Sequence, residues 1–337
     1  MNQPPGVLSP AVPDVQAGRP KTEVSLTRVG VTGVEKVIRV DGHDSDGGQL
    51  FFAQMECFVD LNPQQAGVHM SRFEEIVNEA IDEVVLSEAL KAEGLAADIA
   101  ERVRDRQGGL RAEVSLAARY PETVPTPATG NSTQEIYTLF GTAVASERGT
   151  RTLTGVQAQG MTACPCAQEL VTAGARERLA ERGYDTSQID EILEAVPVAT
   201  HNQRGIGTLH LGCPEGLTSD LDARELLRIV ESSMSSEIYE LMKRSDERAV
   251  VEKAHANPRF VEDCVREMIR QVAALHPELA EGGFIMAHQE NLETIHRHNV
   301  VAERSGEFAE ILAELETGEH SRHHRTMREW LEAPAAP

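Results

Sequence analysis

The stretch TEVSLTRVGVTGVEKVIRV at residues 22–40 is rich in valine and partly alternates apolar with polar side chains. This pattern is typical of a β-strand. The apolar stretch GQLFFAQMECFVDL at residues 48–61 is its predicted hairpin partner, and the turn-forming segment HDSDGG at residues 43–48 lies between them. The chain is therefore predicted to begin its fold with an antiparallel pair of strands.

Helical periodicity follows this pair of strands. Ser71 is a candidate N-cap with Glu74 three residues further on, and the apolar residues behind it recur at helical spacing. A second predicted helix spans roughly residues 94–106. This part of the chain closes with two more predicted strands, at 112–120 and 136–148.

The rest of the chain repeats this order with an insertion. Two predicted strands, 152–161 and 205–213, flank a helical segment near 175–195. The predicted helices and strands that follow are 222–243, 258–275, 282–291 and 295–302. Two successive strand–strand–helix–helix–strand–strand units predict an α+β fold, in which antiparallel sheets are covered by helices on one face.

A chain of 337 residues with 40% hydrophobic content is long enough for two such modules. The predicted division is a flexible N-terminus at 1–20, a first module at 21–150, a second module at 151–312 and a polar C-terminal tail at 313–337. The second module contains most of the candidate functional residues.

Charge and hydropathy exclude several classes of function. The formal net charge of −22 is expected to repel nucleic acid and anionic membranes, and it favours adaptation to a saline cytosol over an ordinary acidic enzyme. No apolar run approaches the ~20 residues that span a membrane, and the proline-rich start lacks the apolar centre of a signal peptide. A cytoplasmic protein is therefore expected, in which the five cysteines are buried, metal-binding or catalytic.

The segment GMTACPCAQ at 160–168 places two cysteines on either side of a proline. Residues two apart in an extended chain point the same way, and Pro165 favours an extended conformation before it. Cys164 and Cys166 are therefore expected to face one side at the end of a strand. One thiol could bind a metal beside the other, with His or carboxylate as further ligands. Two small buried apolar side chains are the alternative.

Two other polar runs contain histidine. THNQRG at 200–205 comes directly before a predicted strand, where it could be an ordinary loop or a site for a phosphorylated or polar ring. TIHRHN at 294–299 sets His296 and His298 on one side of a predicted strand. Their ordinary pKa suits proton transfer, although pairs of surface histidines are the alternative.

Glu262 lies in the first turn of the helix predicted at 258–275, half-buried at the edge of its apolar stripe. Asn257 and Pro258 form a favourable N-cap and first helical residue. Spacing alone favours an acid that interacts with the helix dipole, and a substrate-binding carboxylate is the alternative.

In combination these segments resemble the type IB GTP cyclohydrolases, and GMTACPCAQ is most similar to their archaeal branch. The motifs that carry the resemblance follow the family's order: PDVQ (13–16), GVHMSRFEE (67–75), GMTACPCAQ, THNQRG, LMKRSDE (241–247), NPRFVED (257–263) and TIHRHN. The resemblance extends from about residue 12 to about residue 310. It implies the tunnelling fold with two modules in one chain, and homodimers or higher oligomers with active sites at subunit interfaces.

The resemblance also implies one divalent metal ion per subunit. It assigns Cys166, His201 and Glu247 as ligands of Fe(II), with Zn(II) or Mn(II) as other candidates. Two departures from the family's pattern lie nearby: a long insertion at roughly 173–196, and Ser245 in place of a proline. Neither departure removes a functional side chain, but both change the local loops.

For the substrate, the resemblance assigns Glu262 to the N–H edge of guanine and His296 to proton transfer. His298 and Cys164 are candidates to assist His296. The candidate cations for the triphosphate are Arg204, Lys243, Arg244 and Arg72.

The implied reaction converts GTP to 7,8-dihydroneopterin 2′,3′-cyclic phosphate, with release of formate and diphosphate. Two alternatives remain at the level of sequence. One is another tunnelling-fold enzyme, such as a deazapurine nitrile reductase with a nucleophilic cysteine, and the other is a non-catalytic metal-binding protein.

Overall fold

The computed structural model describes residues 14–40, 49–84, 91–213, 221–319 and 322–333. The strands are β1 (Leu26–Val40), β2 (Gln49–Leu61), β3 (Arg111–Pro125), β4 (Ser132–Ser146), β5 (Gly149–Ala163), β6 (Asn202–Cys213), β7 (Ser236–Glu237), β8 (Phe284–Leu292) and β9 (Val300–Glu307). The helices are α1 (Met70–Val84), α2 (Ala92–Gln107), α3 (Pro165–Glu181), α4 (Thr186–Ala195), α5 (Ala223–Ser232), α6 (Arg244–Ala256), α7 (Val261–Leu275), α8 (Phe308–Thr317) and α9 (Met327–Glu332). A 3₁₀ turn, Pro277–Ala280, follows α7.

The strands form one antiparallel sheet in the order β1-β2-β3-β4-β5-β6-β8-β9, with the short β7 paired to β5. The first hairpin is confirmed, because β1 and β2 pair from Val40 opposite Gln49 to Leu26 opposite Leu61. Its predicted turn at 43–48 lies outside the described residues.

The two repeats share this sheet without a break. β4 and β5 pair from Thr138 opposite Gln157 to Ser146 opposite Gly149, across the boundary expected near residue 150. The division into two modules stays a prediction, since backbone hydrogen bonds run continuously from one half to the other.

Each half has its own core beneath its helices. In the first half, alternate residues of β3 such as Val114 and Leu116 are buried with α1 and α2. Gly141 on β4 permits the close approach of α2, because a Cβ there would lie 2.2 Å from the backbone of Ala92. In the second half, side chains of β5, β6 and β8 pack with α5, α7 and α8.

Helix α9 departs from the predicted arrangement of helices on one face of the sheet. Leu211 belongs to the helix-covered core of the second half, whereas its neighbour Gly212 faces the ring of Trp330. Trp330 and Leu331 are buried against Leu153 and Phe284. The segment 313–337, expected to be a polar tail, therefore includes a helix that packs on the opposite face of the sheet.

The prediction of one continuous helix at 222–243 is wrong. α5 ends at Ser232, and the hydroxyl of Ser233 donates to the Ile229 carbonyl at 2.6 Å. A serine that bonds the backbone in this way competes with further helical hydrogen bonds. The chain then forms β7 and begins a separate helix, α6, which the periodicity did not predict.

Candidate functional site

A cavity of about 460 Å³ lies where β6 and α7 begin and β8 ends. Five of the predicted site residues line it: Cys164, His201, Glu262, His296 and His298. They come from four motifs spread over more than a hundred positions of the chain. The cavity is therefore the place where the sheet brings the candidate chemistry together.

Cys164 is extended, as Pro165 predicts, but Cys166 is helical, so the prediction that the two cysteines face one side at the end of a strand is wrong. β5 ends at Ala163, and Cys164 is the N-cap of α3, where its Sγ accepts the Ala167 N–H at 3.5 Å. Pro165 is the first helical residue, a position for which its fixed φ is well suited. Cys166 consequently lies in the first turn, exposed and outside the cavity lining.

His201 is held next to Cys164 by the backbone. The Cys164 N–H donates to the His201 carbonyl at 3.2 Å, and the Thr200 hydroxyl donates to the Cys164 carbonyl at 2.9 Å. The His201 Nδ1 lies 3.1 Å from Gln203 Oε1 and 3.8 Å from Glu293 Oε2. The imidazole therefore sits between an amide and a carboxylate at the cavity wall.

Sequence reasoning missed Glu293. Its side chain is only 6% exposed, and its Oε2 accepts no hydrogen bond from the residues that the structure describes. A buried carboxylate oxygen without a donor is costly, so Glu293 has the chemistry of a ligand-binding group. Its place three residues before His296 is the signal that could have identified it.

Glu262 occupies the first turn of α7, as predicted, but it is exposed in the single chain and not half-buried. Arg259, another residue that sequence reasoning missed, lines the cavity beside it. The Arg259 N–H donates to the Ala163 carbonyl at 2.9 Å, and its Nε donates to Asn257 Oδ1 at 3.3 Å. The cavity thus presents a carboxylate and a guanidinium from adjacent turns of the chain.

The cations predicted for the triphosphate lie elsewhere. Arg204 is exposed on β6, next in the strand to Gln203, and so points to the other face of the sheet. Lys243 and Arg244 are at the beginning of α6, and Arg72 donates from α1 to a backbone carbonyl. None of the four lines the cavity.

His296 and His298 lie in a loop between β8 and β9, so the strand predicted at 295–302 begins too early. Both imidazoles are exposed, and their rings stack with centroids 5.2 Å apart and an interplanar angle of 16°. The Thr294 hydroxyl ties this loop to the Asn202 carbonyl at 3.0 Å. The two rings therefore form one unit at the mouth of the cavity.

The predicted metal ligands are not gathered within one chain. Within the described ranges, no group of three or more His, Cys, Asp or Glu side chains is placed to hold a metal ion. Glu247 is near the N-terminal end of α6. The other end of this helix is the one near His201, because His255 there contacts the carbonyl of Thr200 at 3.4 Å. The helical rise puts ~12 Å along the axis between Glu247 and His255. Cys166, His201 and Glu247 have donor atoms that suit a metal ion, but within the single chain they are not placed to bind one together.

A partly buried carboxyl joins the two halves of the chain. The Tyr137 hydroxyl of β4 donates to Glu231 Oε1 of α5 at 2.8 Å. Burial raises the pKa of Glu231 to about 7; the Tyr137 hydrogen bond opposes this shift, and nearby Glu237, Glu122 and Glu135 reinforce it. The contact between the halves therefore contains a carboxyl that titrates near neutral pH.

None of the helices in the described ranges is long and apolar enough to cross a bilayer. The family model for type I GTP cyclohydrolase folE2 matches residues 12–302. The chain is 40% identical over 308 residues to the GTP cyclohydrolase MptA of Methanococcus aeolicus, covering 90% of this chain and 99% of the relative. It is also 40% identical to that of Methanosarcina acetivorans over 313 residues, with 90% and 97% covered.

Among solved structures, the chain is similar to the uricase from Arthrobacter globiformis, with a TM-score of 0.52 and 9% identity over 90% of this chain and 98% of that one. A hyper-thermostable mutant of AgUricase gives a TM-score of 0.50 at 9% identity, covering 88% of this chain and 94% of that one. At such identities the likeness concerns the fold alone, and it confirms the tunnelling fold. From the sequence match over nearly its whole length, the chain belongs to the type I GTP cyclohydrolase family of hydrolases.

Proposed function

We propose that this protein is a metal-dependent GTP cyclohydrolase. It converts GTP to 7,8-dihydroneopterin 2′,3′-cyclic phosphate with release of formate and diphosphate, as an early cytoplasmic step of methanopterin-type or folate-type pterin biosynthesis. The observation that supports this most is the single cavity in which Glu262, His201, His296 and His298 meet. Relatives 40% identical and named GTP cyclohydrolase MptA support the substrate.

Glu262 is the proposed binding group for guanine. A carboxylate accepts two parallel N–H bonds, and guanine offers the ring N–H and the 2-amino group on one edge. The exposed position of Glu262 at the cavity leaves both oxygens accessible to such a base. Binding through this edge turns the imidazole ring of guanine towards the remaining cavity residues.

Opening that ring requires one water to add at C8 and break its bond to one ring nitrogen. A second water must cleave the resulting formamide to release formate, and each nitrogen takes up a proton as its bond to C8 breaks. His296 and His298 are the proposed proton carriers, because an imidazole can both accept and donate a proton and the two rings stack beside one another. Cys164 and Glu293 line the same cavity and are the proposed assisting groups.

The triphosphate needs cations, since the chain has a formal net charge of −22. Arg259 is the guanidinium that lines the cavity, and it joins the list of proposed phosphate-binding residues. Lys243, Arg244 and Arg204 remain candidates for phosphates that extend beyond the cavity.

Cys166, His201 and Glu247 are the residues proposed to hold the metal, with Fe(II) favoured over Zn(II) or Mn(II). Thiolate, imidazole and carboxylate donors suit Fe(II) and Zn(II), and such a metal would lower the pKa of a bound water. Because one chain does not gather the three ligands, we propose a homo-oligomer in which a neighbouring copy completes the site.

The test is formate release from GTP by anaerobically purified protein before and after chelation. We expect turnover to be lost on chelation and to return with Fe(II) more than with Mg(II). Absence of formate release from the untreated protein contradicts the proposed activity. Full turnover without metal contradicts metal dependence and favours the covalent-cysteine alternative.

A further inference from the structure

Asp246 of α6 is fully buried, although the residues around it in the segment 243–247 are exposed. Its Oδ1 accepts the backbone N–H groups of Ala128 and Thr129 at 2.9 and 2.8 Å. Its Oδ2 accepts the Thr129 hydroxyl at 2.8 Å and the Lys243 N–H at 2.9 Å.

Three of these four donors belong to the tip of the β3–β4 hairpin, residues 126–131, more than a hundred positions earlier in the chain. The Thr126 hydroxyl accepts the Asn131 N–H at 3.1 Å and lies 2.9 Å from the Thr129 hydroxyl. Since Thr129 gives its only hydroxyl proton to Asp246, Thr126 donates to Thr129. A directed chain of hydrogen bonds thus runs from the hairpin tip into Asp246.

A second hydrogen bond between the two halves of the chain lies a few residues before α6. Glu135 of β4 accepts the Glu240 N–H at 2.9 Å. Strand β4 of the first half therefore holds the segment that leads into α6, and the hairpin tip holds the start of that helix. These contacts hold the backbone of the segment that carries Lys243, Arg244 and Glu247.

Helix capping alone does not account for this arrangement. To begin α6, Asp246 needs to accept only the Lys243 N–H, as an N3 acid does in an ordinary capping box. The remaining bonds link two distant parts of the chain through a buried carboxylate, which is a demanding arrangement to satisfy. It is well suited to fixing the direction of a short exposed segment.

We propose that the hairpin tip 126–131 is a positioning element of the active site, and that Asp246 is the positioning residue through which it acts. Asp246 touches no substrate itself. It holds the N-terminal end of α6 so that Lys243 and Arg244 meet the phosphates of the nucleotide. This inference rests on the proposed function, because the roles of Lys243 and Arg244 do.

The experiment compares Thr129→Val with Thr129→Ser, and both with Asp246→Asn, in the full-length protein. Valine keeps the shape of threonine but removes the donor, whereas serine keeps the donor. We expect Thr129→Val and Asp246→Asn to weaken GTP binding and raise KM about tenfold, the loss of one buried bond to a charged group. Guanosine, which lacks phosphates, should bind within about twofold of wild type in calorimetry.

A double-mutant cycle separates positioning from general destabilisation. With Lys243 and Arg244 both replaced by alanine, Asp246→Asn should weaken GTP binding by less than about twofold further, since coupled residues are not additive. Asp60→Asn is the matched control, because Asp60 accepts the Arg111 N–H at 2.8 Å within the first half. That variant should lower Tm without changing the preference for GTP over guanosine.

The inference is overturned if GTP and guanosine binding weaken together, if only Tm changes, or if the effects of Asp246 and the two cations are additive. Thr129→Ser must bind GTP about as tightly as wild type. Weaker binding by this variant would show that the hydroxyl is not the relevant group. Wild-type protein that releases no formate would contradict the proposed function instead, and the two binding measurements would still test the positioning of Lys243 and Arg244.

Discussion

The two halves of the sheet have the same order of main elements but differ in what is inserted. The first half runs β1, β2, α1, α2, β3 and β4, with no further helix or strand among its described residues. The second half adds α3 and α4 between β5 and β6, and β7 and α6 between α5 and α7. Cys164 is the N-cap residue of α3 and Lys243 is that of α6, so each insertion contains a motif of the candidate site. The repeated scaffold supplies both cores together with Glu262, His296 and His298, and the insertions add Cys164, Cys166 and Glu247.

The contrast is clearest between α2 and α3, which have similar lengths. α2 buries Leu95, Ile99 and Val103 in the first core, whereas α3 has no buried residue and leaves Leu170 70% exposed. Tertiary packing of an apolar face normally stabilises a helix. In the single chain, α3 relies on its Cys164–Pro165 start and its own hydrogen bonds.

The largest expected effect tests this contrast in packing. Leu95→Ala should lower the free energy of unfolding by about 2–5 kcal/mol, because it leaves a cavity in the first core. Leu170→Ala should change it by less than about 0.5 kcal/mol. Denaturant unfolding measures both. A large loss of unfolding free energy for Leu170→Ala would contradict the contrast between the two helices, because it would show that Leu170 is covered in solution.

The second-largest expected effect is the loss of metal and turnover on replacing cysteines, compared between the two halves. Cys166→Ser should remove bound metal and reduce turnover by more than the roughly 10–100-fold that changes around a metal ligand produce. Cys164→Ser should keep much of the metal and slow turnover. Cys57, buried in the first core, is the control: Cys57→Ala should lower Tm and leave the metal content unchanged. Equal metal loss from Cys164→Ser and Cys166→Ser would mean that the pair is misassigned.

Two acids in the first turns of corresponding helices give the third test. Glu262→Gln in α7 should reduce kcat/KM for GTP at least tenfold, because one acceptor becomes a donor that faces a guanine N–H, a mismatch of ~1–3 kcal/mol. Glu93 has the same place in α2 but is buried in the first half. Glu93→Gln should leave turnover unchanged. Near-normal turnover by Glu262→Gln with a slightly lowered Tm would remove the guanine-binding role.

The smallest expected effect is a pH dependence at the contact between the halves. The pKa of Glu231 is about 7 in the folded protein, above its ordinary 4.5, so the folded state binds this proton more tightly. The stabilisation from Glu231 is complete below pH ~4.5 and is lost as the pH rises through 7. Glu231→Gln should therefore become more stable relative to wild type by ~1–2 kcal/mol between pH 5 and pH 8. Unfolding curves at the two pH values measure this, and a constant difference would contradict it.

The sequence by itself determined the repeat and most of the site's inventory. Residues 22–40 and 48–61 read as a hairpin because a strand's alternation is local, and α7 was predicted because its apolar residues recur every three to four positions. The motifs around His201, Glu262 and His296 were identified by their resemblance to a known family, since spacing alone favoured a helix-dipole role for Glu262. Side-chain type and spacing are properties of the chain itself.

Tertiary structure alone decided which of these residues meet. The strand register brings His201 beside Cys164, and the fold buries Glu293 with an oxygen that accepts no hydrogen bond from the described residues. The donors that surround Asp246 come from residues 128–129, far away in sequence, and Trp330 packs on a face that its polar neighbours do not indicate. Such contacts depend on how strands pair over long distances, because a buried polar group must find its partner wherever the fold places one.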